Sequence, residues 1–478
     1  MRVLDQSVSI YRYFEDITKI PHGSYQEEKI ADYVEEFAKS HHFNYQRDEM
    51  HNIIIFKPAT KGYEDHPTLM LQGHMDMVNE KNNDSQHDFE NDPLDLYIED
   101  GYLHAKGTTL GADDGVAIAY MLAILDDDHL KHPALECVFT VQEEVGLYGA
   151  AGLDMSEMKA EYMIGLDSET EGEICTSSSG GCDLLITKQV IGQDNTSPVY
   201  VLEVKGLLGG HSGACIHLGR GNANKIVARL FMALLKNGMD IRLIDIFGGL
   251  KNNAIPRECV VTFASDNSYE EISQIIYQVA DDISQELQIN DPDFTVVLSM
   301  DDGCDVCMTS QDSEAIITMM YLCPNGMKEQ SQVISGLTTL SLNMGVIRTH
   351  EDSVTIDYSI RSPIQSARQE LINQIDIIVS LFNGCIQVSG DYPGWDYDPH
   401  SKIRSLFKQF YKERTGQEVK EVATHGGLET GLFKGKKPYL DILTLGPNME
   451  DIHTPDERLE LESFVRTYEM LVDFIATL

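Results

Sequence analysis

Histidine and carboxylate residues follow several short apolar runs of this 478-residue chain. The run at 68–71 predicts a buried strand, and His74 and Asp76 come shortly after it. Because strand residues alternate between the two faces, these side chains project to the same side. An imidazole with a carboxylate that orients it is a common arrangement at a metal ion. Two residues do not make a site, so this hypothesis requires more ligands at other strand ends.

Acidic residues do recur at the ends of the next predicted strands. Glu143 and Glu144 follow the strand at 135–141, and Asp167 follows the strand at 161–166. The glycine-rich segment 107–115 contains Asp113 and leads into an apolar helix at 116–125. Such a segment could bind phosphate, but no P-loop lysine follows it and neighbouring aspartates would repel an anion. A cation is the better ligand.

Two imidazoles and three carboxylates form the candidate ligand set: His74, Asp113, Glu144, Asp167 and His453. Each histidine can anchor one ion, while two carboxylates complete the separate shells and a third bridges, as in two-metal hydrolases. Imidazole and carboxylate ligands suit zinc, and also manganese or cobalt. The pattern therefore predicts two divalent cations, with zinc favoured.

Glu143 and Glu144 are adjacent, and neighbours on an extended segment point in different directions. One of them can bind metal while the other faces a bound water. A metal lowers the pKa of that water, and a nearby carboxylate can take its proton and pass it to a leaving nitrogen. We assign the general base to Glu143.

The elements that position these residues predict an α/β fold, because strand ends with carboxylates alternate with an apolar helix. Composition changes near residue 186, and amphipathic helices follow near 222–236, 268–287, 311–322 and 366–382. The last ninety residues return to the first pattern, with a helix at 401–414, a strand at 441–445 and a helix at 461–477. We expect a catalytic domain with a mixed central sheet flanked by helices at 1–186 and 390–478. An inserted α/β lid, a candidate dimerisation domain, would occupy 187–389.

The N-terminal segment predicts a helix over 24–40. Ser24 is followed three residues later by Glu27, the spacing of a capping box, and apolar residues then recur on one helical face. A β-branched strand is expected at 52–56.

Composition excludes several classes of function. The formal net charge of −41 opposes binding to nucleic acid, whose phosphates would be repelled. The chain has no apolar run long enough for a transmembrane helix and no N-terminal signal pattern, so we expect a cytoplasmic protein. The nine cysteines are scattered and expected to be reduced, and the lone pair Cys304 and Cys307 predicts no zinc site.

Motifs along the chain resemble those of the di-metal exopeptidases, a family that includes tripeptidase T, acetylornithine deacetylase and glutamate carboxypeptidases. They are HMD at 74–76, GTTLGADDG at 107–115, QEE at 142–144, LDSE at 166–169, GGHSG at 209–213 and DIHTPDE at 451–457. GTTLGADDG, GGLKNNAIPR at 248–257 and THGGLETG at 424–431 look most like the aminoacyl-histidine dipeptidase branch. The resemblance implies a metal-dependent dipeptidase for Xaa-His and other short dipeptides.

The resemblance also implies a role for each candidate ligand. Asp113 would bridge two ions, one of which His74 and Asp167 hold. Glu144 and His453 would hold the other ion. Asp76 would orient His74, and Glu143 would be the general base. Asp114 departs from the relatives, and we interpret it as a carboxylate favoured by the dipole at a helix start.

Residues of the inserted domain receive roles only through this resemblance. His211 would polarise the scissile carbonyl and stabilise the oxyanion. Asn253 and Arg361 would hold the carbonyl or the C-terminal carboxylate of the substrate, for which the forked donors of arginine are suited. His425 would line the pocket with its neighbouring glycines, whereas Glu429, His217 and Arg220 receive no role.

Three questions stay open at this point. A homodimer is favoured over a monomer, and His211 could act in its own chain's site or in that of a partner. An amidohydrolase that removes an acyl group from an amino acid would use the same metal site. A non-enzymatic acidic metal-binding protein is the alternative from another class, although it would have no use for a free carboxylate such as Glu143.

Overall fold

The computed structural model describes residues 2–478, which divide into two compact units. The first unit contains the residues up to Ser177, with Trp395–Ala423 and Leu428–Leu478. The second unit contains Ser178–Gly394 and Thr424–Gly427. The boundaries expected near 186 and 390 fall inside two strands of the second unit, Gly180–Gln189 and Gly384–Tyr392. A change of composition does not show which sheet a strand joins. The assignment of the short segment 424–427 to the second unit was also not expected from the sequence.

A mixed sheet forms the centre of the first unit, which confirms the predicted α/β class. Its strand order is Asn44–Arg47, Ile53–Lys57, Leu135–Thr140, Leu69–His74, Tyr162–Gly165 and Asp441–Thr444. The last four strands in this order are parallel, while the first two pair antiparallel. The carboxyl ends of the parallel strands therefore lie at one edge of the sheet, where ligands bind in open α/β sheets.

Helices and a smaller sheet complete the first unit. The helices are Ser9–Ile17, Glu28–Ser40, Ala112–Asp126, Tyr148–Gly152, Lys402–Thr415, Glu429–Lys436 and Leu461–Ile475. The smaller sheet has the order Met449–Glu450, Arg458–Glu460, Tyr102–Ala105 and Leu96–Glu99. The helix Ala112–Asp126 is buried from its first residue to Leu125. A helix that is apolar on all sides is typical of a core position. The backbone is non-helical at Asp113 and Asp114, near its start.

The capping box predicted at Ser24 is wrong, and the helix begins at Glu28. The Ser24 hydroxyl donates instead to the Asp76 carboxylate, at 2.8 Å. The Glu27 carboxylate accepts the backbone N–H groups of Tyr25 and Gln142. Sequence spacing alone cannot anticipate this outcome, because Asp76 and Gln142 lie in distant segments that follow the strands Leu69–His74 and Leu135–Thr140.

The second unit is built on an antiparallel sheet. Its strand order is Thr295–Asp301, Val199–Lys205, Cys259–Ala264, Arg242–Gly248, Thr338–Thr349, Ser353–Ser362, Gly180–Gln189 and Gly384–Tyr392, with Gly326–Gln330 also paired to Thr338–Thr349. Strand pairs outside this sheet are Gly192–Asp194 with Val306–Met308 and Gly210–His211 with Ala254–Ile255. The helices are Ser212–Cys215, Ala223–Lys236, Tyr269–Leu287, Ser310–Leu322 and Gln365–Leu381, with a 3-10 turn at Ile216–Leu218.

One further strand pair consists of Glu173–Ser178 and Lys420–Thr424. Each strand ends at the first residue of a segment assigned to the second unit. None of the helices in residues 2–478 combines the length and the apolar character needed to cross a membrane.

Candidate metal centre

The predicted ligands of the first unit come together at the carboxyl edge of its central sheet. His74 is the last residue of the central strand Leu69–His74, and Asp113 lies in the first turn of the buried helix. Glu144 follows the strand Leu135–Thr140, Asp167 follows Tyr162–Gly165, and His453 lies in the loop after Met449–Glu450. Five separate segments therefore supply the cluster, which explains why the residues are far apart in sequence.

Asp113 directs its two carboxylate oxygens at different histidines. Oδ1 lies 3.1 Å from Nε2 of His74, and Oδ2 lies 3.0 Å from Nε2 of His453. Nε2 of His453 also lies 2.8 Å from Oε1 of Glu144. A carboxylate with one oxygen beside each imidazole has the arrangement that a ligand shared by two ions requires.

The ligand atoms form overlapping groups in which all atoms lie within 4.8 Å of one another. One group contains His74, Asp113 and Asp167, and another contains Asp113, Glu144 and His453. Both groups include Asp113 and correspond to the two ligand sets that the family resemblance implies. Nitrogen and carboxylate donors at this spacing fit zinc, manganese or cobalt, so the residues present are suited to two divalent cations.

Buried carboxyl groups dominate the charge of this cluster. Burial, with the negative charge of Asp113, raises the pKa of Asp167 to about 8. Burial, with the charges of Asp167 and Glu429, also raises the pKa of Glu143 well above its ordinary value. Cations bound here would relieve these repulsions and return the carboxyl groups to their ionised forms.

The two histidines carry the compensating charge. Burial opposes protonation of His74, but its contacts with Asp113 and Asp76 raise its pKa well above the ordinary value. Hydrogen bonds to Asp113 and Glu144 raise the pKa of His453 to about 11. Both imidazoles therefore sit in fields that favour positive charge, which a metal ion on Nε2 would supply in place of a proton.

Asp76 contacts both His74 and the turn that carries the two glutamates. Nδ1 of His74 lies 2.9 Å from the Asp76 carbonyl oxygen and 3.5 Å from its carboxylate. The carboxylate accepts the backbone N–H of Glu143 at 3.0 Å and that of Glu144 at 3.3 Å. The closer contact to the imidazole thus comes from the backbone, and the side chain mainly fixes the turn at 143–144.

Asp114 lies in the first turn of the buried helix, at the position expected from the sequence. Its carboxylate accepts the backbone N–H of His74 at 3.1 Å. Burial raises its pKa well above the ordinary value. Asp114 therefore holds the end of the central strand in addition to being a carboxylate at a helix start.

Glu429 is a buried carboxyl group whose role could not be predicted from sequence. Its Oε2 accepts hydrogen bonds from Nε2 of Gln72, at 2.5 Å, and from Oγ1 of Thr140, at 2.7 Å. Burial raises its pKa to about 7. Gln72 and Thr140 belong to the strands that precede the ligands, so Glu429 lies beneath the cluster. The motif THGGLETG was its only signal in the sequence.

His453 has a strained backbone and an accessible side chain. Its φ is 61°, in the left-handed region that residues with a Cβ adopt at a cost of about 1 kcal/mol or more. Its side chain is 45% exposed, whereas that of His74 is 1% exposed. Backbone strain retained at one ligand is typical of a functional site.

The second unit brings together the residues predicted to bind substrate. The short pairing of Gly210–His211 with Ala254–Ile255 sets His211 opposite Ala254. The carbonyl of Asn253 accepts the backbone N–H of Ser212 at 2.7 Å. Asn343 donates to the carbonyl oxygens of Asn252 and Ala254, which fixes the loop around Asn253.

Arg361 and His425 are joined through Ser341, which is the register partner of Arg361. Nε2 of His425 lies 2.7 Å from Oγ of Ser341, and Nδ1 lies 2.8 Å from Oγ of Ser179. Burial and the charge of Arg361 lower the pKa of His425 to about 4. The same causes lower the pKa of His211. His425 is therefore a neutral, buried imidazole with both nitrogens already paired, and its part in binding substrate stays a prediction.

Comparisons with known proteins agree with these observations. A model of peptidase family M20/M25/M40 matches residues 70–477. Cytosol non-specific dipeptidase of Escherichia coli K12 is 36% identical over 471 residues, which cover 98% of this chain and 96% of that protein.

Solved structures give the same result. The crystal structure of aminoacylhistidine dipeptidase from Vibrio alginolyticus matches with a TM-score of 0.92 and 35% identity, covering 98% of this chain and 96% of that one. Aminopeptidase PepT from Bacillus cereus matches with a TM-score of 0.57 and 18% identity, covering 99% and 98% respectively, a likeness that concerns the fold alone.

Proposed function

The chain belongs to peptidase family M20/M25/M40, and we propose on that basis that it is a metal-dependent dipeptidase acting on Xaa-His and other short dipeptides. The names of the E. coli and Vibrio relatives support the substrate class. The observation that carries the metal dependence is Asp113, whose two oxygens face His74 and His453 separately.

In this proposal His74, Asp113 and Asp167 hold one divalent cation, and Asp113, Glu144 and His453 hold the other. Zinc is the favoured metal, with manganese and cobalt as alternatives, because all three accept imidazole and carboxylate ligands. The bound ions would supply a water of lowered pKa and polarise the scissile carbonyl. The geometry that supports this assignment is the pair of ligand groups that share Asp113.

Glu143 would act as the general base. It lies in the same ligand-distance group as His74 and Glu144, and it is Glu144 whose carboxylate contacts His453. It would accept a proton from the attacking water and donate that proton to the leaving nitrogen. Asp76 would hold Glu143 in place through the backbone N–H that its carboxylate accepts.

The second unit would recognise the dipeptide. Nε of Arg361 is a buried donor without a partner among the described residues, and Nη1 contacts the hydroxyl of Tyr392 at 3.3 Å. We assign the C-terminal carboxylate of the substrate to Arg361 and Asn253. His211, neutral because its pKa is lowered, would donate a hydrogen bond to the oxyanion, and His425 would line the pocket by fixing Ser341 beside Arg361.

Small peptides are the substrates in this proposal, and we infer a homodimer in the cytoplasm. The printed name of the E. coli relative, a cytosol enzyme, supports the location. The second unit is our candidate for the dimerisation domain. Neither the deacylase alternative nor the non-enzymatic alternative has support from the relatives, whose names are those of peptidases.

Metal removal and restoration tests the proposal. The protein is stripped with a chelator, dialysed, and divided into samples that receive Zn²⁺, Mn²⁺ or Co²⁺ alone. Each sample is assayed on Xaa-His dipeptides, other dipeptides, tripeptides and N-acetyl amino acids. We expect no turnover in the stripped protein, restoration by at least one metal, and rates on dipeptides at least about tenfold above those on N-acetyl amino acids. A folded, metal-loaded protein that is inactive on every dipeptide would contradict the proposal.

A further inference from the structure

Glu457 is a buried carboxylate that holds the backbone around Asp113. Its side chain is 2% exposed. Oε2 accepts the N–H groups of Leu110, at 2.8 Å, and Gly111, at 3.1 Å. Oε1 accepts those of Ala112, at 2.8 Å, and Asp113, at 3.4 Å. Four successive backbone donors therefore converge on one side chain.

The local backbone explains this convergence. Gly111 has a φ of +67°, and this left-handed residue turns successive N–H groups toward one point. A Cβ on Gly111 would lie 2.9 Å from Sδ of Met77, so a side chain there would require Met77 to shift in addition to adopting a strained backbone conformation. Gly111 itself offers no side-chain cap to the helix. Leu110 and Gly111 precede the helix, and the backbone of Asp113 is non-helical, with φ −81° and ψ 105°. Backbone N–H groups in such an irregular segment need acceptors, and Glu457 supplies them from a distant part of the chain.

Glu457 also belongs to the turn that carries His453, four residues earlier. The N–H of Glu457 donates to the carbonyl of Thr454 at 3.1 Å, and Oγ1 of Thr454 donates to the carbonyl of Asp451 at 2.7 Å. This turn therefore connects the two residues closely. Asp113 contacts the turn twice, through its backbone at Glu457 and through its carboxylate at His453.

We propose that Glu457 is a positioning residue that fixes Asp113 against His453 and thereby sets the affinity for the cation that these two residues share with Glu144. This inference rests on the proposed function, because it assumes that the cluster binds divalent cations. Both carboxylate oxygens of Glu457 accept backbone N–H groups, so Glu457 would act on the bound cation through Asp113. It would act by keeping the backbone of Asp113 at a constant distance from the segment that carries His453.

Glu136 provides a matched control in the same unit. It is 4% exposed and its carboxylate likewise accepts backbone N–H groups, from Lys159 at 2.7 Å and Ala160 at 3.2 Å. It lies near the amino end of the strand Leu135–Thr140, and the metal cluster lies at the carboxyl end. Glu136→Gln should therefore lower stability in a similar way without changing the cluster.

The test compares full-length wild type, Glu457→Gln and Glu136→Gln after metal removal. Each protein is titrated with Co²⁺ alone against a chromophoric chelator, and thermal unfolding is followed with and without saturating Co²⁺. We expect Glu457→Gln to bind at least one of the two Co²⁺ ions about 10- to 100-fold more weakly than wild type, the range typical of residues that support a ligand. We expect Glu136→Gln to stay within about threefold of wild type, and Co²⁺ to stabilise Glu457→Gln less than the control.

Several outcomes would overturn the inference. Equal Co²⁺ affinities in Glu457→Gln and Glu136→Gln would show that Glu457 supports only the fold. The same conclusion would follow if both Glu457→Gln and Glu457→Asp stay unfolded at saturating Co²⁺. A variant that is unfolded alone but folds when Co²⁺ is added would support it. If the wild type itself binds no Co²⁺, the proposed function fails. If the wild type binds Co²⁺ tightly and Glu457→Gln binds it equally tightly, only the inference about Glu457 fails.

Discussion

The two units concentrate opposite kinds of charge in their candidate sites. In the first unit, burial and mutual repulsion raise the pKa values of the carboxyl groups of Glu143, Asp167 and Glu429. In the second unit, burial and Arg361 lower the pKa values of His211 and His425. The first cluster is therefore short of positive charge, and the second is short of negative charge.

This difference indicates what each cluster is suited to bind. Divalent cations would satisfy the carboxyl groups of the first unit. A substrate carboxylate and a developing oxyanion would satisfy the guanidinium and imidazole groups of the second. A dipeptide bears the negative groups that the second cluster requires, and its hydrolysis needs the ions that the first requires. Variants of each cluster should therefore change different measurements.

The largest effect is expected for Glu143→Gln, which separates chemistry from metal binding. We expect kcat to fall by about 10³-fold, because a positioned general base contributes between 10² and 10⁴. The number of bound ions, measured by metal analysis after gel filtration, should stay at the wild-type value. A variant that retains more than a tenth of wild-type kcat with both ions bound would show that another group accepts the proton.

Glu429→Gln tests whether the first cluster is short of positive charge when metal is absent. The pKa of Glu429 is about 7 in the folded protein and its ordinary value is 4.5. Between pH 4.5 and 7, Glu429 keeps its proton in the folded state and has lost it in the unfolded chain. The free energy of unfolding therefore falls as pH rises through this range. Above pH 7 the full loss amounts to ~3 kcal/mol for this group. Below pH 4.5 both states are protonated and the loss disappears.

Urea unfolding of the metal-free proteins between pH 4 and 8 measures this effect. Glu429→Gln should fall less steeply with pH than wild type, so that the two curves separate most at pH 7 and above. The exposed residue Glu99 provides the control, because Glu99→Gln should leave the slope unchanged. Parallel curves for wild type and Glu429→Gln would mean that the pKa of Glu429 is the same in the folded and unfolded states.

Arg361→Ala tests the second cluster. Hydrogen bonds to a charged group contribute about 1.5 to 3 kcal/mol, so we expect KM for a dipeptide to rise by about 10- to 100-fold. Metal affinity should not change. Arg361→Lys should recover only part of the loss, because an ammonium lacks the forked donors of arginine.

An amidated dipeptide makes the Arg361 test specific. Without a C-terminal carboxylate, this substrate should be poor for wild type and no worse for Arg361→Ala. If Arg361→Ala raises KM equally for the dipeptide and for its amide, the substrate carboxylate does not bind at Arg361.

The carboxyl edge of the first sheet could be predicted from sequence because of a general property of parallel strands. Their ends meet at one edge, so His74 and Asp167 are neighbours although their positions are 93 apart in the sequence. The α/β class and the central strands and helices follow from the same apolar patterns. Asp113, at a helix start, and His453, on a loop, were also candidate ligands, but their specific roles depended on the family resemblance.

The supporting contacts could not be predicted in this way. Glu429 and Glu457 lie in the motifs at 424–431 and 451–457, but the sequence does not show what they contact, because their partners lie 357 and about 345 positions away. Ser24 has the spacing of a helix cap, but its hydroxyl donates to Asp76. Local spacing carries no information about which loops converge, and burial of a carboxylate depends entirely on that convergence.

Asp76→Ala tests how the first cluster is held together, and we expect metal affinity to fall by about 10- to 100-fold. The physical reason is the loss of both backbone contacts to Glu143 and Glu144, together with the contact at 3.5 Å to His74.

Ser24→Ala removes only the hydroxyl donor to Asp76 and should weaken metal binding by about fivefold, since one hydrogen bond contributes about 1 kcal/mol. Competition with a chelator measures both affinities. If Ser24→Ala instead lowers thermal stability equally with and without metal, Ser24 supports the following helix and not the site. If Asp76→Ala binds metal as tightly as wild type, the turn at 143–144 is held by other contacts, and the first cluster is more rigid than its hydrogen bonds indicate.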